Sequence, residues 1–231
     1  MNRLSIIVPT LDEAPGIAPC LERLAPLRAR GTEVIVADGG SADGTVALAS
    51  SLADRVLSAP RGRAAQMNAG AAAATGDTLL FLHADTRLPG EADRLVLDGL
   101  ASSGREWGRF DVAIDGRGAM LPVVAALMNA RSRLTAIATG DQAIFARRVA
   151  IEAAGGFPAI PLMEDIALTK SLKRLGPPLC LRERAVTSGR RWERHGTLAT
   201  IVLMWRLRLA YFLGVDPARL AKRYGNGRAP S

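Results

Sequence analysis

The chain has 231 residues, of which 48% are hydrophobic and 23% are charged, which is the balance of a globular protein with a continuous core and not of a disordered chain. Its length predicts a single α/β domain over residues 1–231 and argues against two independent enzymatic domains. The formal net charge of +8 predicts an anionic partner, but only 4% of the residues are aromatic and they do not alternate with basic residues, so we expect no nucleic-acid binding.

The first part of the chain alternates short apolar runs with Ala- and Leu-rich helical stretches. The runs cover residues 4–8, 34–37, 55–57 and 78–82. This alternation predicts a mainly parallel sheet covered by helices. In such sheets ligands bind beyond the carboxyl ends of the strands, so the polar residues that follow the runs should lie along one edge.

The pattern changes beyond residue 105. Strands are predicted at 109–114 and 142–145, and helices at 121–138 and 163–175, the latter stopped by Gly176-Pro177-Pro178. This half is expected to carry the second substrate. Arg206 and Arg208 interrupt the last apolar stretch, 198–215, and its uncharged part is far shorter than the roughly 20 residues that cross a bilayer.

Acidic and glycine residues follow the first two strands. Asp12 and Asp38 could accept hydrogen bonds from a base or ribose, and Gly39 and Gly40 would permit close approach of a ligand to the backbone. Alternatively, residues 38–41 form an ordinary strand-to-helix turn in which Ser41 caps the helix. Both interpretations stay open at the level of sequence.

Residues 61–70 begin with Arg61 and Arg63 and continue into an Ala-rich helix. Guanidinium groups at a helix start, together with free backbone amides and the helix dipole, favour an anion such as a diphosphate. A solvated basic turn is the alternative.

His83 and Asp85 follow the most apolar strand. Residues i and i+2 of an extended chain point the same way, so both side chains could reach one divalent ion. A mixed imidazole and carboxylate set favours Mn²⁺ over Mg²⁺. A structural, hydrogen-bonded histidine is the alternative for His83.

Glu164 and Asp165 stand at the start of the predicted helix 163–175. Carboxylates in a first turn are favourable charges there without any further role. The competing role is a general base, which must lie within reach of an acceptor hydroxyl and opposite a leaving group.

Five segments, taken in their order along the chain, resemble the family 2 glycosyltransferases with the GT-A fold. The segments are Pro9-Thr10-Leu11-Asp12-Glu13, the run from Asp38 to Thr45, residues 61–70, His83-Ala84-Asp85 and Glu164-Asp165. The resemblance implies a Rossmann-like nucleotide-sugar domain with UDP as the favoured nucleotide. The residues that it places in the donor site are Pro9, Thr10, Glu13, Asp38, Arg63, Ala84 and Asp85.

Within that site the resemblance gives roles to individual residues. Asp38 would hold uracil or ribose, and Arg63 would approach the diphosphate. Asp85 matches the last Asp of the family's Asp-x-Asp motif, which contacts Mn²⁺ or Mg²⁺, whereas His83 replaces the first Asp. His195 is a candidate to complete the metal shell.

The same resemblance implies the catalytic step. Glu164 and Asp165 match the family's acidic pair, in which the Asp deprotonates the acceptor for a single in-line displacement with inversion. Gly140, Asp141 and Gln142 resemble an acceptor-side loop and are candidates to contact the donor sugar or acceptor. Trp192, in the basic-aromatic loop 190–196, is predicted to stack on a sugar face.

The resemblance also divides the chain. Residues 1–104 are predicted to bind the nucleotide sugar, 105–196 to bind the acceptor and carry catalysis, and 197–231 to form an amphipathic helix and tail. The helix, with Trp205, Tyr211 and Phe212, is predicted to rest on the membrane or on a lipid-linked acceptor; packing into the core or forming a homodimer is the alternative.

Two other functions compete with a glycosyltransferase. A sugar-phosphate nucleotidyltransferase would have a Gly-rich loop directly after the first strand, where this chain has Pro9-Thr10-Leu11-Asp12-Glu13. An inactive, membrane-associated scaffold would have no reason to retain Asp85 and Asp165. The acceptor hydroxyl and the donor sugar stay open.

Localisation is predicted from the cysteines and the N-terminus. Cys20 and Cys180 lie far apart without C-x-x-C spacing, which favours a reducing compartment. The first residues, MNRLSIIVPT, lack the apolar stretch of a signal peptide. We therefore expect a cytoplasmic protein, with peripheral contact to the inner face of the membrane.

Overall fold

The computed structural model of the protein describes residues 3–226, apart from the side chains at positions 191, 195, 225 and 226. The strands in this range are β1 (Leu4–Thr10), β2 (Glu33–Asp38), β3 (Arg55–Ser58), β4 (Thr78–Phe81), β5 (Thr86–Arg87), β6 (Trp107–Asp115), β7 (Phe145–Arg147) and β8 (Leu179–Ser188). The helices are α1 (Ala14–Ala29), α2 (Thr45–Ser50), α3 (Arg63–Ala73), α4 (Ala92–Ser103), α5 (Leu121–Thr135), α6 (Arg148–Ala153), α7 (Glu164–Leu172), α8 (Arg190–His195), α9 (Thr197–Phe212) and α10 (Pro217–Asn226).

The strands form one mixed sheet in the order β3-β2-β1-β4-β7-β6-β8-β5. Strand β1 pairs in parallel with β2 and β4, and β2 pairs in parallel with β3. Strand β7 runs antiparallel to both β4 and β6, and so joins the two halves of the chain in a single sheet. The predicted mainly parallel α/β sheet is confirmed.

The central strands are buried on both faces. In β1, Ile6 and Val8 pack into a cluster with α1 and α4, while Ile7 packs on the opposite face with α3, α6 and α7. Each fully buried side chain of this kind stabilises the fold by about 1.5–3 kcal/mol. The continuous apolar runs of the sequence therefore correspond to a sheet covered by helices on both sides.

Glycine allows α3 to lie close to the sheet. A Cβ at Gly70 would collide with the side chain of Ile7 in β1, so only a residue without a side chain permits this spacing. The close packing places Arg63, the first residue of α3, at the edge where β1 and β2 end.

Several predicted boundaries were wrong because the backbone adopts left-handed conformations that sequence periodicity does not reveal. The helix predicted at 121–138 ends at Thr135, since Ala136 has a φ of 57°. The strand predicted at 142–145 begins only at Phe145, because the amide of Gln142 donates to the carbonyl of Thr139 and Gly140–Gln142 form a 3-10 turn. The helix predicted at 163–175 starts at Glu164 and finishes as a 3-10 turn. Strand β8 was not predicted.

The C-terminal region contains two helices, α9 and α10, where one helix was predicted. They pack on residues of the second half of the chain through a cluster that includes Ile137, Ile166, Leu207 and Leu220. Residues 227–231 of the predicted tail lie outside the described residues. Within the described part of the chain, no helix has the length and apolarity needed to cross a membrane.

Candidate active site

A cavity of about 630 Å³ lies beyond the carboxyl ends of β1, β4 and β8 and is bounded by α5, α7 and α9. It brings together most residues that the sequence singled out, although they come from separate segments of the chain. These are Pro9, Glu13, Arg63, His83, Ala84, Asp85, Gly140, Asp141, Glu164, Asp165 and Trp192. The edge predicted from the parallel strands is therefore the edge where the cavity lies.

The loops after β1 and β2 hold each other through side-chain hydrogen bonds. Asp12, at a φ of 52°, accepts a hydrogen bond from the backbone amide of Ala42 at 2.9 Å. Its own amide donates to Ser41 Oγ at 2.9 Å. Asp43 accepts from the amide of Ala14, the first residue of α1, at 2.9 Å. This network fixes the entrance to α1, next to Pro9 and Glu13.

Asp38 organises its own turn. Its carboxylate accepts hydrogen bonds from the amides of Gly40 and Ser41, both at 2.9 Å, and from the hydroxyls of Ser41 and Thr10. Burial would raise the pKa of Asp38, but these hydrogen bonds outweigh it and hold the pKa below its ordinary value. Ser41 donates its hydroxyl hydrogen bond to Asp38. It does not cap a helix, because α2 begins at Thr45. Neither Thr10 nor Asp38 lines the cavity, and their contact with a base stays a prediction.

Charged groups converge around Glu13 at the end of the cavity that lies beyond β1 and β4. Burial raises the pKa of the Glu13 carboxyl, and the negative charge of Asp85 adds to this shift. Arg190 and Arg63 act in the opposite direction on the same group. Arg63 lines the cavity at the start of α3, whereas Arg61 does not. A negatively charged ligand would therefore meet Arg63 beside the two carboxylates.

The segment after β4 turns at the edge of the sheet. The amide of Ser188, at the end of β8, donates to the carbonyl of Asp85 at 3.2 Å, and β5 pairs with β8 directly after it. The carboxylate of Asp85 is exposed, with the Thr86 hydroxyl at 3.4 Å. Nδ1 of His83 lies 3.6 Å from the carboxylate of Asp141. His83 therefore links this segment to the turn that follows α5.

The side chains at this edge could bind a divalent ion that takes its other ligands from phosphates. Among the described residues, no group of three or more His, Cys, Asp or Glu side chains is arranged to hold a metal ion. Mg²⁺ in phosphate-binding sites uses one or two carboxylates and takes its other ligands from phosphate and water. The exposed carboxylate of Asp85, with His83 nearby on the same cavity wall, fits such a partial site. The side chain of His195 lies outside the described residues.

Glu164 and Asp165 open helix α7, directly after Met163, which has a φ of 71°. Oδ2 of Asp165 accepts a hydrogen bond from the amide of Gly140 at 2.8 Å, and Oδ1 accepts one from the amide of Ile166 at 2.7 Å. Glu164 is buried, and burial followed by the charge of Asp165 raises its pKa. Asp165 is thus fixed in orientation with free lone pairs toward the cavity.

Gln142 does not line the cavity. Its side chain is fully buried and donates to Ser132 Oγ in α5 at 3.0 Å. Its carbonyl oxygen accepts from the amide of Thr139 at 3.3 Å, so it holds the turn that carries Gly140 and Asp141. Trp192 does line the cavity, but from the short helix α8 rather than from the predicted loop.

Two arginines that sequence reasoning did not assign to the site also line the cavity, Arg131 of α5 and Arg208 of α9. Burial lowers the pKa of Arg131 to about 10, and it also lowers the pKa of Arg208. Each ends a stripe of apolar residues at helical spacing. That signal, a single cation on the apolar face of a helix, could have identified them.

Residues 5–152 match the model of a protein family described as "Glycosyl transferase family 2". A curated relative, the "PGL/p-HBAD biosynthesis glycosyltransferase" of Mycobacterium bovis, is 39% identical over 99 residues, which is 40% of this chain and 38% of the relative. The Mycobacterium tuberculosis protein of the same description aligns with the same figures. The chain thus covers less than half the length of the curated relatives that it matches.

Solved structures share the arrangement of strands and helices. TarS 1-349 of S. aureus superimposes with a TM-score of 0.66 at 17% identity, covering 83% of this chain and 61% of that one. Mannosyltransferase PcManGT of Pyrobaculum calidifontis, in complex with GDP-Man and Mn²⁺, gives 0.63 at 24% identity, covering 99% of this chain and 66% of that one. Glucosyl-3-phosphoglycerate synthase of Mycobacterium tuberculosis, with Mn²⁺ and UDP, gives 0.56 at 22% identity, covering 80% and 71%.

Proposed function

We propose, from the premise that this chain belongs to glycosyl transferase family 2 and has the GT-A fold, that it transfers a sugar from a nucleoside-diphosphate donor to an acceptor hydroxyl. One observation carries the proposal. A single cavity holds Arg63 and Asp85 at the ends of the parallel strands, and Asp165 at the start of α7. A donor diphosphate and an acceptor hydroxyl have their required partners in the same space.

UDP is the proposed nucleotide of the donor. TarS 1-349 of S. aureus has a structure with UDP-GlcNAc and the Mycobacterium tuberculosis synthase has one with UDP, whereas PcManGT has one with GDP-Man, so experiment must decide which base this chain binds. In this chain Pro9 and Glu13 line the side of the cavity expected to meet the base and ribose. Arg63, exposed at the first turn of α3, is the residue proposed to pair with a phosphate.

A divalent ion, Mn²⁺ or Mg²⁺, is the proposed cofactor, held by Asp85 with His83 as a second candidate ligand. Such an ion neutralises charge on a leaving diphosphate. Arg63 contributes a fixed positive charge on the same wall of the cavity. Nδ1 of His83 also lies 3.6 Å from the carboxylate of Asp141.

The proposed reaction is a single displacement with inversion. The carboxylate of Asp165 takes the proton of the acceptor hydroxyl, whose oxygen forms a bond to the anomeric carbon of the donor sugar. The bond from that carbon to the diphosphate oxygen breaks at the same time, and the diphosphate leaves with the bonding electrons. The amides of Gly140 and Ile166 hold Asp165 in position for this transfer.

Calorimetric titration of UDP into the full chain, with and without Mn²⁺, tests the donor site. We expect binding that strengthens with Mn²⁺, followed by turnover of one of a panel of UDP-sugars. GDP and TDP serve as the matched alternatives for the base. Failure of all three nucleotides to bind, with or without metal, would contradict the proposal and favour an inactive scaffold.

We also propose that the outer face of α9 contacts a membrane surface or a lipid-linked acceptor. Trp205 is 66% exposed and Phe212 is 60% exposed, on a helix whose solvent side also carries Val202 and Leu209. Partitioning of large apolar side chains into a lipid interface contributes in proportion to the area buried. Replacing Trp205 and Phe212 together with Ala should reduce sedimentation with anionic liposomes several-fold.

The control for that measurement removes exposed apolar side chains elsewhere on the surface. Val149 of α6 and Leu175, in the 3-10 turn after α7, are also exposed. Their double Ala variant should sediment with liposomes like the native chain. Equal liposome binding by the α9 variant and the native chain would remove the membrane proposal.

A further inference from the structure

The cavity has an apolar half that the donor site does not use. Its walls come from facing stripes of α5 and α9, and each stripe runs toward one arginine. The α5 wall consists of Val124, Leu127, Met128 and Arg131, and the α9 wall consists of Thr200, Ile201, Met204, Trp205 and Arg208. The groove between the helices is therefore apolar along its length and cationic at its inner end.

Arg131 is half-buried, and part of its guanidinium group lacks hydrogen-bond partners. Nε and Nη2 of Arg131 are inaccessible to solvent and have no hydrogen-bond partner in the structure as described. Leaving buried guanidinium N–H groups without acceptors is costly, and a bound anion is one of the ways in which proteins satisfy such groups. Arg131 is therefore a candidate ligand-binding group.

The nearby carboxylates do not neutralise this end of the groove by direct contact. Among the described residues, no ion pair within 4.0 Å joins Arg131 or Arg208 to an acid. Asp165 is close enough to act on both arginines through its charge, but its oxygens are held by backbone amides. The arginines also oppose each other's charge, so an added anion would relieve that repulsion.

The groove continues onto an exposed apolar surface. Leu127 of α5 and Trp205 of α9 both line the cavity and are 58% and 66% exposed. A small soluble anion would satisfy the arginines but leave these walls in water. A molecule with an anionic group and an alkyl chain matches both the charged inner end and the apolar walls.

We propose that Arg131 and Arg208 bind the anionic group of the acceptor, and that this acceptor is an amphiphile with a phosphate head group whose alkyl chain lies between α5 and α9. The inference rests on the proposed function, because Asp165 at the inner end of the groove is the group that would deprotonate the reacting hydroxyl. It adds an anion site and a class of acceptor to that function.

Binding of decyl phosphate below its critical micelle concentration tests the inference. Titration into the full chain, followed by calorimetry, should show saturable binding. Arg131→Gln and Arg208→Gln should each weaken it by about tenfold to hundredfold, the range expected when a hydrogen bond to a charged group is lost. Arg206→Gln, which removes the same charge from an exposed position of α9, is the matched control and should bind like the native chain.

Two comparison ligands separate the parts of the inference. Inorganic phosphate should bind at least tenfold more weakly than decyl phosphate, since it lacks the chain. Decyl maltoside should also bind weakly and should not respond to either arginine substitution. Inorganic phosphate that binds as tightly as decyl phosphate overturns the amphiphile, and arginine-independent binding of decyl phosphate overturns the anion site.

UDP titration and thermal unfolding of the same variants complete the design. UDP binding by both Gln variants would show that the donor site is intact. A loss of decyl phosphate binding would then result from the removal of the arginine side chains. Absence of UDP binding in the native chain would count against the proposed function instead. Arg131→Met should raise Tm, because it removes buried hydrogen-bond donors that have no partner. If Arg131→Met instead lowers Tm and binds decyl phosphate like the native chain, Arg131 is a structural residue and its assignment as an anion-binding residue is overturned.

Discussion

Replacing Asp165 with Asn is expected to lower kcat for sugar transfer by about 10²–10⁴-fold, the usual contribution of a general base. The amide has nearly the shape of the carboxylate but cannot take a proton from the acceptor hydroxyl. It can still accept one of the two backbone hydrogen bonds, from Gly140 or from Ile166. UDP affinity and Tm should therefore change little, and steady-state turnover with the active UDP-sugar measures the loss.

Two further variants show which carboxylate is the base. Asp98→Asn removes an exposed carboxylate from α4, away from the cavity, and should turn over like the native chain. Glu164→Gln is expected to have the smaller effect of the acidic pair, because burial and the neighbouring Asp165 raise the pKa of Glu164 and disfavour its ionised form. If Glu164→Gln loses activity while Asp165→Asn retains it, the roles are reversed.

Replacing Asp85 with Ala is expected to remove the part of UDP affinity that depends on Mn²⁺, a loss of at least about tenfold. The exposed carboxylate of Asp85 offers oxygen ligands next to the site proposed for the diphosphate. Its side chain makes only a long contact with the Thr86 hydroxyl, at 3.4 Å, so the fold should hardly be affected. Calorimetric titration of UDP at fixed Mn²⁺ measures the effect.

Metal removal from the native chain is the matched comparison for Asp85→Ala. Addition of EDTA to the native chain should reproduce the affinity of the variant, and EDTA should have no effect on the variant itself. His83→Ala, measured in the same way, shows whether the imidazole is a ligand or holds only Asp141. An Asp85→Ala variant whose UDP affinity still rises with Mn²⁺ would exclude Asp85 as the metal ligand.

The central strands of the sheet were predicted from the sequence, because their apolar runs are visible in the local pattern of residues. Runs such as Ile6-Ile7-Val8 are apolar without alternation because both faces of β1 are covered, and the periodicity records this directly. The edge of the sheet, and with it Asp85, followed from the same pattern, whereas Arg63 was predicted from the basic residues at the start of a helix. Strand β8 was missed because its middle carries the charged run Arg182-Glu183-Arg184, where the sheet has an irregularity and the side chains are exposed.

Contacts between distant segments could not be predicted in this way. The hydrogen bond between Gly140 and Asp165 depends on how the 3-10 turn meets α7, which only the tertiary structure determines. Gln142 shows the same limit, since a polar residue beside Asp141 looks like a ligand-binding residue but binds α5 instead. Arg131 and Arg208 come together through the packing of two helices that no local pattern pairs.

The turn at Gly140 lies between Asp165, which accepts a hydrogen bond from the Gly140 amide, and His83. An added Cβ at this position would lie 2.5 Å from two ring atoms of His83, so the glycine sets how closely the base approaches the end of β4. The distance between the proposed general base, Asp165, and the donor is therefore determined by the sheet and this turn, and not by α9 and α10. If the proposed function holds, substitutions in those helices would alter which acceptor is bound and leave the chemistry of transfer unchanged, so acceptor range and catalytic power would evolve independently in this chain.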